Sequence, residues 1–296
     1  MRGRAHLACC VGLVLSVAVH ARGLAQEQGA APPEYRVLLR MASDSSVVGH
    51  YKFTVQVKQR LAFDIAADDP RAELLAAATI PKEQTTDIAA TIVSTPKAQD
   101  EDRRYIAYWL GYKVYGDDVQ SLSSFQWDTI FQKAGRQAFV TLSPRGHARG
   151  VEVTSDAARP VGESLAEALS ALALALPEDS VGVGARWDDN VAITLAALDG
   201  SEWLTAVRVT YRLRDLEPGP EGTTIARIEF DGEPVQDPAS STKAYGRYFG
   251  ESRFSVEKGR YDMLMVIANL EIEWEDTSGL PPSRSIVEWG AQVARR

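Results

Sequence analysis

Tyr51-Lys52-Phe53-Thr54-Val55-Gln56-Val57-Lys58-Gln59-Arg60-Leu61-Ala62-Phe63-Asp64-Ile65 decides the architecture, because its apolar side chains fall on alternate positions. Residues 51, 53, 55, 57, 61, 63 and 65 are apolar, and the residues between them are polar apart from Ala62. A period of two marks a strand with one buried face. At about 3.3 Å per residue the stretch reaches about 50 Å, far beyond the usual five or six residues of a strand.

The pattern returns near the other end of the chain. Leu264, Val266, Ala268, Leu270, Ile272 and Trp274 share one face, with Asn269, Glu271, Glu273 and Glu275 on the other. In the first half of this strand Met263, Met265 and Ile267 make the second face apolar too, which predicts a cover, most simply a helix. Further strands are predicted at 105–115, 137–143, 150–154, 191–197, 203–214, 223–231, 245–256 and 285–293. Ser143-Pro144-Arg145-Gly146 and Glu257-Lys258-Gly259 read as tight reversals, so neighbours pair antiparallel. Strands of this length bend, and a sheet of them curls.

Two segments carry helix punctuation. Asp69-Pro70 supplies an N-cap and an N1 proline before 71–79, with Pro81 as the stop. In 162–176, ended by Pro177, ten of the last twelve residues are Leu or Ala, so a helix there is apolar nearly all round and needs burial on several sides. The expected fold is therefore α+β: a long curved antiparallel sheet, a half-barrel or open barrel, packed on a central Leu/Ala-rich helix. A helix that docks a partner or touches a membrane is the other reading of 162–176.

The 296 residues include 32 Lys and Arg against 40 Asp and Glu, a net charge of −8, with 45% hydrophobic and 24% charged residues. That balance excludes a disordered or collagen-like chain. An acidic chain with no Lys/Arg cluster is not built to displace counterions from nucleic acid. Two arginines in 1–4, an apolar run over 7–19, and Gly23-Leu24-Ala25 before Gln26 predict a signal peptide over 1–25 and an exported protein, periplasmic or secreted. The 13-residue run is too short for a transmembrane span, and Cys9 and Cys10 lie too early in it for a lipid anchor. Cleavage removes both cysteines and, with Arg2, Arg4 and Arg22, moves the net charge from −8 to −11. Residues 26–34 read as a flexible tether, and 35–296 as a single β-rich domain of two similar halves, 35–160 and 177–296, joined by helix 162–176.

Little reactive chemistry is legible. His50 and His147, the histidines outside the leader, flank glycines in turn-like surroundings without metal-ligand spacing. Gly162-Glu163-Ser164-Leu165-Ala166 is a degraded nucleophile elbow with no strand before it, so Ser164 is better used as a cap. Carboxylate pairs at Asp68/Asp69, Asp117/Asp118 and Asp188/Asp189 and the row Glu271/Glu273/Glu275 leave a carboxylate-based hydrolase as the less favoured alternative, since such rows usually form solvated faces. Gly182-Val183-Gly184 lacks the third glycine of a dinucleotide site. No metal and no cofactor is expected. Tyr105, Tyr108, Trp109, Tyr112 and Tyr115 in one strand, and Tyr245, Tyr248, Phe249 and Phe254 in another, occupy both faces. One set fills the core while the other is free to line a groove for a lipid tail, a peptide or a sugar.

Leu176-Pro177-Glu178-Asp179-Ser180-Val181-Gly182-Val183-Gly184-Ala185-Arg186-Trp187 resembles the junction "LP-x-x-x-V-x-V-G-x-x-W" of a family of bacterial exported β-rich domains of unknown function with two similar halves. Ala185 stands where an Asp often follows that glycine. The long strands with a helix are also similar, at the level of fold, to carriers of the LolA/LppX type, and that likeness implies an acyl chain held beneath helices. The expected function is non-enzymatic: an exported protein of the cell envelope that holds a hydrophobic, lipid-like ligand between the helix and the concave sheet face. Phe53, Val55, Val57, Leu264, Val266 and Leu270 are the expected ligand-binding residues. The alternative is an interaction or assembly module that binds an envelope protein and no small ligand.

Overall fold

The period-two stretch is strand β2 (Val47–Phe63). The computed structural model describes residues 35–41, 47–66, 68–73, 75, 82–94, 102–116, 137–153, 174–196, 202–236, 242–274 and 283–296. Within Tyr35–Arg296, which cluster as one compact unit, the remaining strands are β1 (Arg36–Val37), β3 (Lys82–Ser94), β4 (Arg103–Gly116), β5 (Gln137–Leu142), β6 (Ala148–Val153), β7 (Val181–Gly182), β8 (Arg186–Ala196), β9 (Glu202–Pro218), β10 (Thr224–Pro234), β11 (Thr242–Ser255), β12 (Arg260–Trp274) and β13 (Ser283–Arg295).

Eleven of these strands make one antiparallel sheet in the order β6-β5-β4-β3-β2-β13-β12-β11-β10-β9-β8. It consists of two meanders, β2 to β6 and β8 to β13, joined where β13 pairs with β2 from Ser283↔Phe63 to Arg295↔Tyr51. β1 and β7 form a separate two-stranded ribbon. The reversal at Ser143-Pro144-Arg145-Gly146 is closed by the Gly146 N–H on Ser143 O (2.9 Å), with Gly146 at φ +88°. Asp69 caps a helical turn, its Oδ1 accepting the Arg71 N–H at 2.8 Å. The Arg71 side chain bonds the same carboxyl and holds its pKa down at about 2.

The sheet curls, because its two margins meet: His147, in the turn after β5, lies 2.8 Å from Asp189 of β8. Two glycines of β11 serve the curvature. A Cβ on Gly250 would stand 2.0 Å from Met265 O and 2.5 Å from the Phe230 ring, and one on Gly246 would stand 2.0 Å from Asn269 O. Only a residue without Cβ lets β12 approach β11 so closely, as at the corners of barrels.

The α+β expectation with a central helix is corrected by the structure, which is strand-dominated and holds no helix of seven or more residues among those described. Most of 162–176 lies outside the described residues. Its last three, Leu174, Ala175 and Leu176, are buried and not helical. Their backbone groups bond to tertiary partners: the Leu176 N–H donates to Arg145 O (2.9 Å), the Trp187 indole to Ala175 O (2.5 Å), and the Tyr261 hydroxyl to Leu174 O (3.3 Å). Intrinsic helix preference is weak enough for such contacts to override it, and an all-apolar run serves equally well as a buried extended strap. The predicted cover over Met265 fails as well, because that side chain is 36% exposed. Strand β3 is absent from the sequence-based expectation, since its buried inner positions Ile88 and Ala90 include only one large apolar side chain.

The close approach at Gly250 predicts that Gly250→Ala lowers stability in urea by about 1–3 kcal/mol, the usual cost of overpacking. The corresponding change at Gly111, where a Cβ meets nothing within 4 Å, should cost less than about 1 kcal/mol.

Candidate functional site on the inner face

Alternation sends one side chain in two to the concave side of the curl, and pairing lines these up in rows across the strands. One row runs Phe53, Val293, Leu264, Ser252, Ile228; the next runs Val55, Ala291, Val266, Gly250, Phe230, Tyr211, Trp187; a third runs Val57, Trp289, Ala268, Tyr248, Gly232, Val209. The six residues expected to bind ligand all lie on this face. β2 carries Phe53, Val55 and Val57 and β12 carries Leu264, Val266 and Leu270, with β13 between them. Five of the six are buried and Val57 is half-buried. Trp187, Tyr211, Phe230 and Tyr248 continue the surface as a chain of ring contacts 5.6–5.8 Å apart.

One end of the curl has a floor. Val37, Leu39 and Met41 from the segment before β2, and Leu174, Ala175 and Leu176 from the segment before β7, are buried in the same core as the rows. Polar bonds clamp these straps. The Met41 N–H donates to Pro144 O (3.1 Å), Arg36 donates twice to Ser180 O, and Arg40 donates to Pro177 O and Glu178 O. Arg145 is the centre of the clamp: its Nε donates to Leu176 O (2.7 Å), Nη1 pairs with Glu178 (3.0 Å) and Nη2 lies 3.6 Å from Asp189. The two margins of the sheet are thus joined at this end through side chains and straps.

Burial dominates the electrostatics of the floor. Desolvation pushes the Tyr51 hydroxyl, which donates to Tyr261 O at 3.2 Å, up to about 12, with Arg260 opposing the shift. It pushes Tyr211, Tyr248 and Tyr261 up as well. Polar atoms are few on the rest of the inner face. Gln59 donates to Ser285 Oγ at 2.8 Å, both residues being buried, and the Trp289 Nε1 and Ser252 Oγ atoms are buried with no hydrogen-bond partner among the described residues.

Of the chemistry-bearing residues flagged in the sequence, His147 and Asp189 meet at 2.8 Å, and the other described ones do not converge. Glu271 is on the opposite, outer face and pairs with Arg284 (2.9 Å), and Asp188 accepts from Thr210 (2.6 Å). Asp117, Asp118, Ser164 and Glu275 lie outside the described residues. His50 bonds Thr91 (2.7 Å). Sequence reading placed His147 in an ordinary surface turn, and its pairing with Asp189 escaped because the two residues lie on opposite margins of the sheet. Among the described residues no group of three or more His, Cys, Asp or Glu is placed to hold a metal ion. A polar groove of about 800 Å³ lies on the outer face around Arg208, Thr210, Asp231 and Arg247. The Arg247–Asp231 ion pair inside it offsets the charges that would otherwise recruit an ion.

No protein-family profile and no curated protein matches the chain. Among solved structures, it aligns with that described as DynF from the dynemicin biosynthesis pathway of Micromonospora chersina, at 8% identity over 91% of this chain and 90% of that one, with a TM-score of 0.15. An overlap so loose carries no argument about fold or function.

Two outcomes follow from the floor. Asp189→Ala leaves Arg145 and His147 without their shared carboxylate, and is expected to lower stability in urea by about 1–2 kcal/mol and to speed amide exchange over 174–180. Tyr51 has its proton in the folded state up to about pH 12 and gives it up near pH 10 when unfolded. Its contribution is therefore whole below pH 10 and is lost as pH rises from 10 to about 12, by about 2–3 kcal/mol. Stability measured in urea across that window should fall, and Tyr51→Phe should make the fall shallower.

Proposed function

We propose that this is a non-enzymatic bacterial protein, exported by way of residues 1–25 to the periplasm or the exterior, that holds a lipid-like apolar ligand against the concave face of its sheet. The supporting observation is the continuous apolar surface of the inner rows. An antiparallel sheet of this width normally buries such a face against a second sheet or against helices. Among the described residues, Val37, Leu39, Met41 and Leu174–Leu176 join this apolar core at one end. A surface that is apolar over several rows, walled by strands and floored at one end, suits an acyl chain, because burial there gains about 25 cal/mol for each Å² removed from water. The proposal assigns no catalytic step.

One observation favours the alternative, an interaction module of the cell envelope. On the outer face Tyr245 and Met265 are exposed, and Phe249 and Ile267 beside them are half-buried. A partner protein would cover such a stripe.

Native mass spectrometry of the gently purified protein is expected to show an added mass of lipid size, removable by organic extraction, after which the protein takes up a fluorescent fatty acid. A clean apo mass together with no uptake contradicts the carrier reading and leaves the interaction module.

A further inference from the structure

An indole N–H donates and cannot accept, so a buried tryptophan normally meets an acceptor. Trp289 is 2% exposed and its Nε1 has no acceptor among the described residues. Left unmade, that bond costs the full desolvation of the donor. The Ser252 hydroxyl on the same face is freer to rotate, which makes the indole the sharper signal.

Its position is informative. Trp289 stands between Val57 and Ala268 in its row, with Ala291 two residues along β13, so small side chains flank the indole on two sides. Towards the floor, the next rows on β2, β13 and β12 are wholly apolar: Val55, Ala291 and Val266, then Phe53, Val293 and Leu264. Away from the floor the next two rows on these strands hold Gln59, Val287 and Leu270, then Leu61, Ser285 and Ile272, with Gln59 donating to Ser285. The inner-face polar side chains nearest Trp289 on these three strands therefore lie on its side away from the floor.

We infer that Trp289 marks the polar end of the ligand site. Its Nε1–H donates to the carboxyl or ester carbonyl oxygen of an acyl amphiphile whose chain runs towards the floor over Val55, Val266, Phe53 and Leu264. This rests on the carrier reading above and adds to it the class of ligand and the direction in which it lies.

The test uses the full chain stripped of bound lipid, with three probes of similar length titrated by calorimetry: oleic acid, methyl oleate and 1-octadecene. The wild type is expected to bind the acid or the ester, or both, more tightly than the hydrocarbon. Trp289→Phe keeps a ring and removes the donor, and should weaken the oxygen-bearing probes about tenfold while leaving 1-octadecene unchanged. Loss for the acid alone identifies a free fatty acid as the ligand type, and loss for both identifies an acyl carbonyl in general. An equal loss for all three probes makes Trp289 a packing residue and overturns the inference while the carrier reading stands. Failure of the wild type to bind any of them overturns the carrier reading itself. Should Trp289→Phe not fold, the indole ¹H–¹⁵N resonance of Trp289 in the wild type decides: a downfield shift with oleic acid but not with 1-octadecene supports the donor role, and the same shift with both refutes it.

Discussion

The pairing of β13 with β2 is the constraint on which the rest of the structure depends. It joins the last strand of the chain to the first long one, in unbroken register from Ser283↔Phe63 to Arg295↔Tyr51. No turn encodes this contact, and its closure over more than two hundred residues costs loop entropy before any contact repays it. What holds it is the inner face, where Phe53 meets Val293 and Val57 meets Trp289, continued in β12 by Leu264 and Ala268. Without that seam the two meanders would each expose an apolar face and an unpaired edge.

From the seam the other features follow in order. One sheet of eleven strands, tightened at Gly246 and Gly250, brings the turn after β5 against β8. Among the described residues the margins meet through polar side chains instead of a hydrogen-bonded ladder, with Arg145 and His147 reaching Asp189. The same turn grips the straps that floor the interior. Polar clamps at the margin and apolar rows inside divide the labour, the first fixing geometry and the second supplying most of the free energy of burial.

The long strands were legible because a period of two, kept up over a dozen or more residues, fits an extended chain and not a helix. The reversals were legible too, from Gly146 and Gly259, both at positive φ. The strand inventory failed at β3, where the small side chain of Ala90 hides the inner face. The cover failed for another reason. A run of Leu and Ala reports that a segment is buried without reporting its conformation, and Leu174–Leu176 are buried as a strap. Of the inner face, Phe53, Val55, Val57, Leu264, Val266 and Leu270 were readable from period alone. Trp289 was not, because its meaning lies in an acceptor it lacks, and pairing partners two hundred residues away leave no local mark.

Hydrogen exchange followed strand by strand probes the seam most directly. The account predicts that amides of 283–295 and 47–63 are among the slowest to exchange and open together as one unit, with the straps at 35–41 and 174–180 opening earlier. Early exchange throughout 283–295 while 47–63 stays protected would contradict it, because the two meanders would then not share one sheet.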